Sequence, residues 1–230
     1  MTFANTGSHP KGYARIAAAG ALALAVLAAG CSSHPADATS PTLTRAELRA
    51  GMRKLWEEHV QWTRMVIVSF AAGLPDFDAA VGRLLRNQDD IGNAVKPFYG
   101  EEAGLRLAAL LKDHILIAAD VLQAARAGDA SALETASGRW YANGDEIADF
   151  LAAANPIHWP REGMRAAMRE HLDTTLAEAA ARLGGSWDQD IASYEAARQH
   201  VLMMADTLAD GIAAQFPELF ADGAAPSHSH

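Results

Sequence analysis

Cysteine occurs once in this chain, at Cys31, so no disulfide can form within it and no paired-cysteine redox or metal motif exists. Glycine-rich phosphate loops are absent, as are a His-Glu-x-x-His helix and a nucleophile elbow. Those absences remove the usual signatures of nucleotide enzymes, zincins and α/β-hydrolases. Positive charge is also scarce. With 19 Lys+Arg against 28 Asp+Glu the formal charge is -9, which excludes a general phosphate-binding face and argues against a nucleic-acid partner. No stretch alternates with period two, so strands are not expected. What remains is half hydrophobic, a fifth charged and 7% aromatic, the balance of a chain that folds around an apolar core.

The first forty residues carry an address. Lys11 and Arg15 precede a short apolar run, Ile16 to Leu27, which ends in Leu27-Ala28-Ala29-Gly30-Cys31. A basic start, an apolar stretch too brief for a comfortable membrane span and small residues at its end are the layout of a secretory signal. The small residues before the cysteine resemble the lipobox of bacterial lipoproteins. That resemblance implies cleavage before Cys31 and acylation of its thiol. Residues 1–30 are therefore expected to be a signal peptide, and 31–43 a lipidated N-terminus with a polar, Pro-containing tether. Removing Lys11 and Arg15 leaves 17 basic residues against 28 acidic ones. The expected location is extracytoplasmic, anchored by lipid to the bacterial cell membrane. Ser32, in place of an aspartate after the cysteine, resembles sorting to an outer membrane where the cell has one.

From Thr44 onward apolar residues recur at spacings of three and four, which predicts an all-α domain over 44–220, with a disordered tail over 221–230. Six helices are expected, over 44–72, 76–96, 101–127, 130–154, 161–183 and 187–216. They are separated by Gly73-Leu74-Pro75, Tyr99-Gly100, Gly128-Asp129, Asn155-Pro156, Gly184-Gly185 and Phe216-Pro217. Such short breaks predict an up-and-down bundle of about six antiparallel helices. Two offsets suggest that it is built from repeated helical hairpins. His59, His114 and His171 are spaced 55 and 57 residues apart, and the segment Asn87 to Asn93 lines up with Asn143 to Asp149 at an offset of 56. A fainter echo, Asp188 to Ile191, stands in the last helix.

The segments Leu55-Trp56-Glu57-Glu58-His59-Val60-Gln61-Trp62-Thr63-Arg64, Pro97-Phe98-Tyr99-Gly100 and Arg139-Trp140-Tyr141-Ala142-Asn143-Gly144-Asp145-Glu146-Ile147-Ala148 resemble a group of bacterial extracytoplasmic helical-bundle lipoproteins. The resemblance implies a helical fold and supplies no catalytic residue.

The candidate site comes from polar residues placed where apolar ones belong. His59, His114 and His171 each fall within an apolar helical stripe, and Asn87 and Asn143 do the same. An unpaired buried amide or imidazole costs about 1–3 kcal/mol, so these groups need partners. The nearest candidates are one another and the acids Asp90, Glu146 and Glu178. One reading is a binding site, with His59, His114, His171, His200 and Glu178 holding a transition metal (Cu, Zn or Fe) and Asn87, Asp90, Asn93, Asn143, Glu146 and Arg139 holding a small ligand. Arg139 is expected to pair with Asp89 or Asp90. The other reading is structural, a polar layer that fixes helix register. A general base such as His59 beside a carboxylate is chemically conceivable, but no oxyanion element accompanies it, so no catalytic residue is assigned.

Overall fold

A computed structural model describes residues 43–221 and shows five α-helices: α1 (Arg45–Ala72), α2 (Phe77–Ala127), α3 (Ala130–Ala154), α4 (Arg161–Leu183) and α5 (Trp187–Gln215). A 3₁₀ turn, Pro217–Leu219, follows. The expected signal peptide, Cys31, nearly all of the tether and residues 222–230 of the expected tail lie outside the described residues. Among the described residues there is no strand, only an isolated bridge between Leu43 and Phe220. Ala221 N–H donates to the Leu43 carbonyl at 3.2 Å, so the two ends of the described chain meet.

Local chemistry sets the helix limits. Thr44 caps α1 in a capping box with Glu47, and Gly73 closes it at φ +63°, a left-handed conformation that suits glycine. Asp129 caps α3 by accepting from Ala132 N–H at 3.0 Å.

The expected count of six becomes five at Tyr99-Gly100. There α2 runs on through Pro97, and Gly100 alone leaves helical geometry, at φ +86° and ψ 169°. One residue is enough to reverse the chain. Gly92 and Gly104 would stand about 18 Å apart in a straight helix, yet a Cβ on Gly92 would come within 2.5 Å of the Gly104 carbonyl oxygen. The two limbs of α2, before and after Gly100, therefore fold against each other through bare backbone. Only glycine at both positions permits so close an approach.

Each helix packs on the next, and α5 packs on α1, so the elements close into a ring. Helix α4 also touches α1 and α2. The interior divides into two apolar clusters. The larger gathers residues such as Met52, Trp56, Leu107, Leu111, Ile147, Met164, Met168 and Ile212, and the smaller gathers Val66, Ile67, Ala80, Leu84, Ile115, Leu122 and Ala179. Along α1 the break between the clusters falls at His59, between Trp56 of the larger and Val66 of the smaller. Trp159, in the connection between α3 and α4, is sealed inside. Its Nε1–H donates to the Thr207 carbonyl at 3.2 Å, and its ring lies on Gly211, where any Cβ would collide with it.

Candidate functional site: three imidazoles around one cavity

His59, His114 and His171 arrive from three different elements, and each is 2–4% exposed. Ring centroids of His59 and His171 are 5.8 Å apart, and those of His114 and His171 are 6.0 Å apart. The three rings line a cavity of about 50 Å³ whose remaining wall is mostly apolar, including Val66, Ile67, Leu84, Ile115, Trp140 and Leu176. That is room for a few waters or a ligand of a few atoms. Thr63 and Thr175 also reach the wall, but their hydroxyls donate to the carbonyls of His59 and His171 one turn back, at 2.8 Å each.

Behind the rings a single hydrogen-bond pattern occurs three times. Asn87 Nδ2 donates to the Leu55 carbonyl at 3.0 Å, Asn143 Nδ2 to the Leu110 carbonyl at 3.2 Å, and His200 Nε2 to the Ala167 carbonyl at 2.8 Å. Each accepting residue stands four before one of the three histidines. A second contact sits 29 residues after two of the histidines. His114 Nδ1–H donates to Asn143 Oδ1 at 2.8 Å, and Gln88 Nε2 stands 3.4 Å from His59 Nδ1. His200 occupies that position relative to His171. In the first hairpin two residues, Asn87 and Gln88, share the task that Asn143 performs alone in the second. In the third hairpin the counterpart is His200 rather than the Asp188 to Ile191 segment suggested by the sequence.

These bonds determine tautomers. Asn143 donates through its amide nitrogen, so its oxygen must accept, His114 carries its proton on Nδ1, and its Nε2 presents a lone pair. Among the described residues, none hydrogen-bonds the Nε2 of His59, His114 or His171. Burial keeps all three rings neutral: His59 is pushed down to about 3, with the nearby His114 acting the same way, and His114 to about 4. His171 lies well below the ordinary imidazole range, chiefly through burial and then through its histidine neighbours. Several polar atoms of this layer lack partners: Trp56 Nε1, Gln88 Oε1, Trp140 Nε1 and His171 Nδ1. Trp140 is stacked on His114 at 5.2 Å, and Trp56 meets His59 edge-on at 5.6 Å.

The carboxylates expected in this layer are elsewhere. Asp90, Glu146, Asn93 and Arg139 are exposed, because each falls about a quarter turn or more from the buried edge of its helix. Arg139 pairs with Asp120 at 3.1 Å rather than with Asp89 or Asp90; Lys112 takes Asp89, and Arg83 lies 3.8 Å from Asp90. Asn87 and Asn143 are buried as expected, but their amide groups already bond the carbonyls described above. Glu178 is buried, at 1% exposure, in a separate ionic cluster. Arg64 donates to Glu178 at 3.0 Å and pairs through both terminal nitrogens with Asp190, which Arg182 also reaches at 3.2 Å. Burial outweighs the Arg64 charge and raises the Glu178 carboxyl to about 7. His200 turns toward the outside of the ring and does not line the cavity.

Three of the five expected metal ligands are thus brought together. Among the described residues, no group of three or more His, Cys, Asp or Glu side chains is arranged to hold a metal ion. Gln88, Trp140, Thr63 and Thr175 were not anticipated as site residues. A sequence signal for Gln88 exists in the repeated 29-residue spacing from each histidine, visible only once the histidines are known to be equivalent. Comparison with protein-family models, with curated proteins and with solved structures finds no match to the chain.

Proposed function

We propose that the protein is a lipid-anchored extracytoplasmic binding protein whose ligand occupies the three-histidine cavity. The observation that carries this reading is the convergence of three neutral imidazoles, each with an unbonded Nε2, on one small cavity. A mostly apolar wall selects against a free ion with its hydration shell, and neutral rings offer no countercharge to an anion. The ligand class is therefore a small neutral molecule that donates a hydrogen bond to the His114 Nε2. A transition metal at the same three nitrogens is the less favoured variant, since no group of three or more His, Cys, Asp or Glu side chains among the described residues is arranged to hold one. The lipobox-like Leu27 to Cys31 segment supports the anchor and the compartment, in keeping with the resemblance to bacterial helical-bundle lipoproteins. The threefold recurrence of the carbonyl bonds supports a bundle made from three copies of one helical hairpin.

A second reading has its own support. The bonds from Asn87, Asn143 and His200 each tie one helix to the backbone of another, which is how a polar layer fixes register without binding anything. The two readings separate in one experiment. The purified protein is denatured, and released small molecules and metals are identified by mass spectrometry; the folded protein is then titrated with Cu, Zn and Fe ions and with small neutral hydrogen-bond donors. A stoichiometric ligand, lost on His59→Ala and His114→Ala, is the expected result. If nothing co-purifies or saturates, and both substitutions lower only stability, by about 1–3 kcal/mol, the structural reading replaces this one.

A further inference from the structure

His171 is the odd member of the three imidazoles. In the first two hairpins an amide stands at the Nδ1 of the histidine, Gln88 beside His59 and Asn143 beside His114. In the third, His200 gives its Nε2–H to the Ala167 carbonyl and turns its other nitrogen to Glu170, 3.4 Å away. His171 Nδ1 is left buried with no partner. The Thr175 hydroxyl one turn on does not supply one, because it bonds the His171 carbonyl.

A neutral imidazole always carries one N–H and one lone pair. With its proton on Nδ1, His171 would hold a buried donor that faces no acceptor, the rarer of the two unpaired states. The proton therefore belongs on Nε2, the nitrogen left to face the cavity that the ring lines. His114 is fixed the other way: Asn143 holds its proton on Nδ1, and its Nε2 offers a lone pair. One part of the wall thus donates and another accepts. The two cannot satisfy each other. Their ring centroids are 6.0 Å apart, and a direct N–H···N bond needs about 3 Å between the nitrogens, closer than rings so separated can bring them. Trp140 in the same wall adds an Nε1–H with no acceptor. Beyond the rings the wall is carbon, with Val66, Ile67, Leu84, Ile115 and Leu122 around a volume of about 50 Å³.

We infer that the guest of this cavity is amphiprotic, a short alcohol or primary amide of about two to four heavy atoms, whose polar group donates to His114 Nε2 and accepts from His171 Nε2–H while its carbon end meets the aliphatic wall. This inference names the ligand class for the binding reading above and rests on that reading.

Three molecules of nearly equal size test it: ethanol donates and accepts, dimethyl ether only accepts, and propane does neither. Each is titrated into the whole purified protein, with binding followed by NMR from the histidine and tryptophan ring signals. Ethanol should bind at least about 10-fold more tightly than either analogue, since each of them leaves a buried polar group unpaired. His171→Phe keeps a ring and loses the N–H, so ethanol affinity should fall about 10-fold there while propane affinity holds. The tautomers are read separately, in the unsubstituted protein, from the ring nitrogen chemical shifts, which should place the proton of His171 on Nε2 and that of His114 on Nδ1. Ether or propane binding as tightly as ethanol overturns the inference but leaves the cavity a binding site, as does a His171 proton on Nδ1. A molecule released on denaturation that lacks either a donor or an acceptor has the same effect. Binding of none of the three, with nothing released on denaturation, defeats the binding reading itself.

Discussion

At the scale of single residues, the interior holds two titratable systems of opposite sign. The three imidazoles are neutral in the fold, His59 near 3, His114 near 4 and His171 well below its ordinary value, while in an unfolded chain each titrates at about 6.5. As pH falls below about 6.5 the unfolded chain takes up protons that the folded one refuses, so their contribution to stability is full above that point and declines on acidification. Glu178 works the other way. Its carboxyl is raised to about 7, so the folded protein holds a proton that the unfolded chain has released, and its contribution declines as pH rises from about 4.5 toward 7. Between pH 5 and 6 the balance approaches two protons taken up on unfolding, a rise in stability of up to about 3 kcal/mol per pH unit. Urea denaturation at several pH values should show that slope. In Glu178→Gln the opposing group is gone, and the slope should steepen toward about 4 kcal/mol per unit; a slope of zero, or one that flattens in the variant, would contradict neutral buried imidazoles.

At the scale of elements, the reversal inside α2 depends on two glycines as much as on Gly100. A methyl group on Gly92 would meet the Gly104 carbonyl oxygen at 2.5 Å and the Ala108 methyl at 2.8 Å, and the first of these is backbone that cannot rotate away. Gly92→Ala should therefore separate the two limbs and destabilise the protein by about 1–3 kcal/mol or more, the range for overpacking a filled interior. Gly138, whose Cβ would meet nothing, serves as the control: alanine there should be neutral or stabilising, by up to about 1 kcal/mol, because it favours helix. Thermal melts of the two variants settle the comparison. The same element explains the count of helices. Pro97 and Gly100 are legible as a break, but a single glycine at positive φ between two hydrogen-bonded limbs is a hinge one residue long, and spacing rules place only the limbs.

At the scale of the whole molecule, the ring of helices brings residues 43 and 221, the two ends of the described chain, together. Among the described residues no helix is long and apolar enough to cross a membrane. Attachment on our reading then rests on acylated Cys31. Cys31→Ser should move the protein from the membrane fraction to the soluble fraction in its native host, as followed by fractionation and immunoblotting; retention at the membrane would remove lipidation from the proposal.

Most helix limits, the absence of strands among the described residues and the inward placement of His59, His114, His171, Asn87 and Asn143 were legible in the sequence, because a 3.6-residue period assigns every side chain on a helix to a face. Their partners were not. Asp90, Glu146 and Arg139 share short segments with Asn87 and Asn143 but project toward water, and Glu178 meets Arg64 instead of an imidazole. Such pairings depend on how far one helix is shifted along another, which distant contacts decide and local spacing does not encode. The tertiary structure alone made Gln88 equivalent to Asn143, and turned His200 away from the cavity toward Glu170.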